Sequence, residues 1–188
     1  MTPARECEVL TAALDLLREV GYEAMSMDTL AARAHCSKAT LYRMWPSKPE
    51  LIAAALRLTG PTDADGIDTG SLRGDLIAMA DRFAPRAQQD TALIAALDHA
   101  VLTHPDLAAT LRSVLLEPDT ASLARFIDRA IDRGELPARP PAAELLSHLL
   151  FGVFVTRPVF DGSFADTAYM TRIIDDIVLP ALGCPPSR

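Results

Sequence analysis

A chain of 188 residues can form one large domain or two small ones, and a hydrophobic content of 49% predicts a sizeable core. No uninterrupted apolar run reaches the 18 residues of a membrane span, and Glu6 and Glu8 near the N-terminus argue against a secretory signal peptide. Three widely spaced cysteines match neither a disulfide framework nor a zinc site, so we expect a cytoplasmic protein without metal.

The acidic charge lies outside the N-terminal part of the chain. Residues 1–58 carry seven Lys or Arg and seven Asp or Glu, whereas residues 59–188 carry eleven and eighteen and hold the whole net charge of −7. An acidic surface repels a polyanion. The N-terminal part carries no net charge, so this repulsion does not argue against a polyanionic partner there. Both lysines of the chain, Lys38 and Lys48, lie in this part.

The first two predicted helices are amphipathic. Residues 5–20 place apolar side chains on one face, and Gly21 stands where a C-cap belongs. Ser26 is a plausible N-cap for a second helix, whose apolar residues also repeat at helical spacing. That pattern stops at His35, which begins a short turn.

The turn leads into two further helices. A third helix is predicted from about Lys38 to Trp45, where Pro46 stops it. Ser47 and Glu50 have the spacing of a capping box, so a fourth helix opens there. The second and third helices with their short turn form a helix-turn-helix, whose second helix enters the DNA major groove.

The segment from Ser37 to Leu51, SKATLYRMWPSKPEL, resembles the recognition-helix signature of the TetR (tetracycline-repressor-like) transcriptional regulators. The resemblance is detailed from about Arg5 to Leu58 and loose over the rest. It implies a DNA-binding helix-turn-helix domain followed by a helical half that binds a small molecule and pairs with a second subunit. The family usually has a glycine with a left-handed backbone where this chain has His35. We therefore predict a slightly strained turn or another turn geometry.

Two groups of residues are expected to contact DNA. The first residues of the third helix face base edges in this docking mode, and Ser, Thr and Lys can hydrogen-bond to bases. The resemblance implies phosphate contacts for Tyr42 and Lys48, the latter together with free N–H groups at the start of the fourth helix. Arg43 is a further candidate or a solvated charge, while Leu41 and Trp45 are more typical of core. The predicted DNA-binding residues are Ser26, Ser37, Lys38, Ala39, Thr40, Tyr42, Arg43 and Lys48.

Thr59–Gly70 is rich in Gly, Asp and Thr and is predicted to be a loop and the domain boundary. The remainder follows a helical pattern without alternating strands. We predict an all-α fold of about ten helices, with a three-helix DNA-binding domain at 1–58 and a larger ligand-binding and dimerisation domain at 59–188. The six C-terminal helices are predicted near 72–88, 91–103, 104–116, 118–134, 141–157 and 164–182.

The helix near 141–157 contains LLSHLLFGVFVT, which is apolar nearly all round and must be covered on more than one side. It is either a central core helix or an oligomer interface. The resemblance favours the interface, since the last two long helices of the family form a four-helix bundle between subunits. We expect a homodimer through this helix and the one near 164–182.

Large apolar residues between 76 and 154 either form plain core or line a cavity. The resemblance favours a mostly apolar effector pocket, and the absence of lysine there disfavours a phosphate-rich effector. His148 lies on the apolar helix, where a histidine is more often buried or at an interface than a ligand contact. The residues predicted to line the pocket are Met79, Phe83, Leu97, Phe126, His148 and Phe151.

Catalysis has little support in the sequence. It contains no G-x-S-x-G, P-loop or H-E-x-x-H motif, and we predict no catalytic residues and no cofactor. The resemblance implies a ligand-responsive transcriptional regulator, expected to be a repressor, that binds a palindromic operator as a dimer and is released by a small apolar molecule. The alternative is a helical small-molecule-binding protein or enzyme with a vestigial DNA-binding domain.

Overall fold

The computed structural model describes residues 1–58 and 66–184, apart from the side chains of residues 86–90, 92, 95, 96, 98 and 115. Within these ranges the chain is helical and has no strands, which confirms the all-α prediction. The N-terminal helices are α1 (Pro3–Ala24), α2 (Met27–Arg33), α3 (Lys38–Met44) and α4 (Lys48–Arg57). The C-terminal α-helices are α5 (Leu72–Phe83), α6 (Ala87–Thr103), α7 (Pro105–Leu111), α8 (Glu117–Asp132), α9 (Leu146–Asp161), α10 (Thr167–Ile173) and α11 (Leu179–Ala181).

Several C-terminal helices include non-α turns. A 3₁₀ turn at Ala84–Arg86, which contains Pro85, follows α5. Another, Pro141–Leu145, leads into α9. Two π-helical segments, Arg112–Leu116 and Ile174–Val178, continue α7 and α10. The long helices expected near 104–116 and 164–182 therefore exist, but they are not uniformly α-helical.

The chain divides into two compact units. One comprises Met1–Pro61 and Ala92–Leu116, and the other comprises Thr62–Thr91 and Glu117–Arg188. Of the loop predicted at Thr59–Gly70, residues 59–65 lie outside the described residues. A domain boundary there stays a prediction.

The core of the first unit forms around α4. Leu51, Ile52 and Ala55 on α4 are fully buried and belong to one apolar cluster with residues of α1, α2 and α3. α4 packs against α1 and also against α7, so Leu107 joins the same cluster. Residues 92–116 thus cover a face of α4 that the first three helices leave open.

The core of the second unit lies between α5, α8 and α10. Phe126 and Ile127 of α8 are almost fully buried against the apolar face of α5. Asp75, also fully buried, accepts hydrogen bonds from Arg129 and from the backbone N–H and hydroxyl of Thr69. This buried carboxylate therefore fixes the start of α5 to α8.

α9 is not enclosed by its own chain. Leu146 is its only buried residue, and the side chains of Val159 and Phe160 are each 82% exposed. The segment Pro141–Asp161 is long and apolar enough to cross a membrane by length and composition, which was not expected from the sequence. One such helix is weak support for a membrane span, because apolar surface of this kind also marks protein interfaces.

Candidate nucleic-acid interface

Three serines cap the N-termini of α2, α3 and α4 in the predicted DNA-binding domain. The side-chain oxygens of Ser26, Ser37 and Ser47 accept hydrogen bonds from backbone N–H groups of α2, α3 and α4, at 3.0, 3.1 and 3.3 Å. All three positions have extended backbone, as N-caps require. The caps predicted at Ser26 and Ser47 and the helix start predicted at about Lys38 are confirmed, whereas the cap at Ser37 was not predicted.

The recognition helix α3 has one apolar and one polar face. Leu41 is fully buried and Trp45, its C-cap, is 6% exposed, so both belong to the core as predicted. Tyr42 is 44% exposed, and the other candidate DNA-contacting residues of this helix also face solvent, with Thr40 half-buried. The apolar face therefore anchors the helix while its polar face stays accessible to a ligand. The exposed candidates besides Tyr42 are Ser37, Lys38, Ala39 and Arg43.

The turn before α3 has a left-handed residue at His35, whose φ is 46°. Cys36 N–H donates to Ala31 O at 3.0 Å and His35 N–H donates to Ala32 O at 3.2 Å. These are the two bonds of a Schellman motif, whose left-handed position usually carries glycine. Of the two predicted outcomes, the structure has the strained left-handed turn.

Arg5 of α1 stabilises this turn from outside. Its guanidinium donates to the carbonyl oxygens of Ala34 and His35, the latter at 3.3 Å, and pairs with Glu8 at 2.5 Å. A cation at the C-terminus of α2 also complements the helix dipole. Sequence reasoning missed this role, and no local pattern could have shown it, because the partners are about thirty residues apart.

Lys38, the first residue of α3, is paired with Asp28. Its ammonium lies 2.8 Å from Asp28 Oδ1 and 2.9 Å from Oδ2. The hydrogen bond with Asp28 and the negative charge of this residue raise the pKa of Lys38. The lysine thus stays cationic, but DNA has to compete with Asp28 for it.

Lys48 is held against the end of α1. Its ammonium donates to Tyr22 O at 2.5 Å and lies 3.9 Å from the centre of the Tyr22 ring. Partial burial lowers the pKa of Lys48, and the charge of Glu23 opposes that shift. Nothing in the spacing of residues 22 and 48 predicts this contact.

The N-terminus of α4 corrects one expectation. We predicted that free backbone N–H groups would bind an anion together with Lys48. Pro49 has no N–H, and the N–H of Glu50 is donated to Ser47 Oγ. Two of the backbone N–H groups expected to act with Lys48 are therefore either missing or already bonded at this helix start.

The structure brings together only part of the predicted effector site. Met79 and Phe126 are buried in the core of the second unit, and Phe83 packs against it. Leu97 belongs to the core of the first unit instead. His148 and Phe151 lie on α9 and are exposed, Phe151 by 46%.

His148 lines a mostly apolar groove of about 420 Å³ between the start of α9 and the C-terminal helical segment. The groove is a surface feature of the second unit and differs from the pocket predicted around Met79 and Phe126. Its lining residues are Ala142, Leu145, Leu146, His148, Leu149, Val178 and Ala181.

Matches to known proteins extend over nearly the whole chain. Residues 9–55 match the family described as bacterial regulatory proteins, tetR family, and residues 67–177 match the family described as tetracyclin repressor-like, C-terminal domain. The interval between the two matches, residues 56–66, overlaps most of the loop predicted at Thr59–Gly70.

Individual relatives agree with these matches. The DNA-binding transcriptional repressor TetR of Mycobacteroides abscessus is 35% identical over 93% of this chain and 92% of its own length. An uncharacterized HTH-type transcriptional regulator of Mycobacterium tuberculosis is 33% identical over 95% of this chain and 88% of its own. Among solved structures, the Flavonoid-responsive Regulator FrrA superposes with a TM-score of 0.67, at 25% identity and full coverage of both chains.

Proposed function

The chain belongs to the TetR family of transcriptional regulators, and from that premise we propose that it is a dimeric, cytoplasmic repressor that a small apolar molecule releases from a palindromic operator. The observation that carries the DNA-binding part is α3, which buries Leu41 and exposes its polar first turn. The family consists of regulators rather than enzymes, and its members are soluble DNA-binding proteins. The repressor assignment draws on the name of the Mycobacteroides relative.

The proposed DNA interface assigns different roles to different residues. Ser37, Lys38, Ala39 and Thr40 would read base edges in the major groove, because they occupy the cap and first turn of α3. Tyr42, Lys48 and Ser26 would contact phosphates and fix the register of the protein on the duplex. Arg43 would add a phosphate contact from the exposed side of α3.

The proposed dimer uses α9 and the helical segment from α10 to α11. The support is exposed apolar surface on both segments, since the side chain of Phe151 on α9 is 46% exposed and that of Ile177 is 45% exposed. The mostly apolar groove that His148 lines lies between the same segments. A second copy would cover this surface by a two-fold, self-complementary contact. The two recognition helices would then lie roughly 34–36 Å apart, one turn of B-DNA.

The proposed effector binds in the second unit. The core of this unit is aliphatic and aromatic around Met79, Phe83 and Phe126, and such surroundings suit a neutral, mostly apolar molecule. The relative FrrA is described as flavonoid-responsive, which is consistent with an aromatic, weakly polar effector class. The effector releases DNA only if it binds the DNA-incompetent form more tightly, with a coupling typically of about 1–3 kcal/mol.

Selection of DNA fragments from a random-sequence pool by the purified full-length protein tests the proposal. A palindromic consensus is expected, with affinity that falls steeply as salt rises. The selected duplex then serves to screen apolar compounds for release. Failure to enrich any sequence would refute operator binding, whereas enrichment without release by any compound would leave a constitutive DNA-binding protein.

A further inference from the structure

Lys48 is joined to the corner between α6 and α7 by a short series of side chains, all within the first unit. The series begins with the ammonium of Lys48, which is bonded to Tyr22 O and lies over the Tyr22 ring. One residue thus restrains the lysine through two different interactions. A long lysine side chain otherwise samples many rotamers, and ordering it on DNA costs entropy.

Tyr22 is in turn packed against His104. The tyrosine is 6% exposed, and the centres of the two rings are 5.3 Å apart at an angle of 56°. This spacing and tilt are typical of favourable aromatic contacts. The position of the Tyr22 ring therefore depends on where His104 is placed.

His104 is placed by Glu23 and by its own backbone. It is the residue before α7, and its Nε2 donates to Glu23 Oε1 at 2.6 Å, since a carboxylate oxygen can only accept. Its backbone N–H donates to Ala100 O of α6 at 2.8 Å, and its carbonyl accepts from Ala108 of α7 at 3.1 Å. A shift of the α6–α7 corner would thus move the imidazole relative to Tyr22.

We propose that His104 is a positioning residue of the DNA interface, which acts through Tyr22 to hold the Lys48 ammonium where it meets a phosphate. The inference rests on the proposed function, because it needs the Lys48–phosphate contact. His104 itself touches no DNA in this proposal. It makes DNA affinity depend on the α6–α7 corner through three named side chains.

A double-mutant cycle on the selected duplex tests the inference. His104→Ala should lower the affinity about threefold to tenfold and reduce the steepness of the salt dependence, because a loosened lysine contributes less to phosphate binding. In the Lys48→Ala background the same substitution should have no further effect. His104→Gln, whose amide can still donate to Glu23, should recover part of the loss.

Two matched controls separate positioning from general damage. Thr103→Ala changes the neighbouring residue, whose hydroxyl bonds only within α6, and should leave affinity unchanged. Leu102→Ala changes another residue near the α6–α7 corner, one whose side chain is 81% exposed, and it should also leave affinity unchanged. Circular dichroism at the binding temperature verifies that each variant is folded. A misfolded His104→Ala would be replaced in the cycle by His104→Leu, which fills the space but removes both the ring contact with Tyr22 and the bond to Glu23.

Each failure has a distinct meaning. An equal effect of the His104 substitution in both backgrounds, or no effect in either, would overturn the positioning role while leaving DNA binding intact. Unchanged affinity and salt dependence in Lys48→Ala alone would remove the phosphate contact from the proposed function, and the inference with it. A wild-type protein that shows no sequence-specific DNA binding would refute the proposed function itself.

Discussion

Arg5 donates a hydrogen bond over 3.3 Å to the carbonyl oxygen of His35, the left-handed residue of the turn that precedes the recognition helix. The same guanidinium also donates to Ala34 O. Both acceptors are backbone atoms, so the interaction supports the turn whatever side chain stands at position 35. This allows the strain of the histidine to be measured separately.

His35→Gly should raise the free energy of unfolding by about 0.5–1 kcal/mol. A non-glycine residue in the left-handed region costs about 1–2 kcal/mol, and part of the gain is lost to the greater freedom of glycine in the unfolded chain. Urea unfolding of the full-length protein measures the change. His35→Ala, which keeps the strain, should not gain stability, and equal stabilisation by both substitutions would contradict the explanation.

Lys48→Ala should weaken binding to all duplexes and lower the salt slope by about one unit, whereas Thr40→Ala should alter preference at one base position. The reason is that a phosphate contact carries no sequence information and a base contact does. Titration of selected and scrambled duplexes over a range of salt measures both effects. Arg57→Ala is the matched control, because it removes one positive charge from the other end of α4. Unchanged slope and affinity on losing Lys48 and Tyr42 together would contradict the assignment.

Phe151→Asp should convert the proposed dimer into a monomer at micromolar concentration. A buried unpaired carboxylate in an apolar seam costs several kcal/mol, enough to outweigh a modest interface. Light scattering measures the mass, and Val155→Asp should act alike if it faces the partner. Leu102→Asp is the control, since Leu102 is 81% exposed on α6, outside the proposed seam. A wild-type monomer would contradict the dimer directly.

Asp75→Asn should lower the free energy of unfolding by about 2–3 kcal/mol, because Arg129 and Arg133 would lose the buried carboxylate that both contact. Burial opposes ionisation of Asp75, but hydrogen bonds from Thr69 and Arg129 outweigh it and lower the pKa of this carboxyl group. Its contribution is therefore present above the unfolded-state pKa of about 3.9 and lost as the pH falls through the lower folded-state value. The variant should lose this part of the acid sensitivity.

Asp175→Asn serves as the control for Asp75. Asp175 pairs with Arg73 at 2.7 and 2.8 Å, but both side chains are partly exposed. Such a pair contributes less than about 1 kcal/mol. Equal destabilisation by the two substitutions, measured by urea unfolding at neutral pH, would show that burial of Asp75 is not the cause.

Asp119→Asn should stabilise the protein at pH 7 by about 1 kcal/mol, or roughly 2–4 °C. Burial raises the pKa of Asp119 to about 6, and in the described parts of the chain its Oδ1 has no hydrogen-bond partner. Burial favours the protonated carboxyl group in the folded state. The stability that this protonation contributes is therefore fully present below the unfolded-state pKa of Asp119 and is lost as the pH rises through about 6. The gain should vanish at pH 4, and a gain independent of pH would exclude ionisation as its source.

Helix starts in the N-terminal part could be predicted from the sequence, because capping depends on neighbours three residues apart. Ser26 and Ser47 cap as expected, and Ser37, which was predicted only as a DNA contact, caps α3 in the same way. The burial of Leu41 and Trp45 was also predictable, since helical spacing separates them from the polar residues of α3.

Contacts between distant segments could not be predicted. The bonds from Arg5 to the His35 turn and from Lys48 to Tyr22 join residues about thirty positions apart, and neither leaves a periodic signal. The packing of Leu97 in the core of the first unit could not be predicted either. An apolar pattern indicates that a helix is buried, but it does not indicate which helices cover it. The loss of free N–H groups at the start of α4 is predictable from the sequence, because Pro49 has no N–H and Ser47 caps the N–H of Glu50.

Gly21 ends the regular part of α1 with φ 72° and ψ 173°, and a Cβ added there would meet nothing within 4 Å. The restriction at this position is therefore one of handedness and not of space, because this backbone region is nearly closed to L-amino acids. Its mirror image is ordinary extended backbone, so a D-alanine introduced by chemical ligation would fit at position 21 where L-alanine would not. The site that turns the chain towards Tyr22 is, in stereochemical terms, a D-residue position filled by the one achiral amino acid.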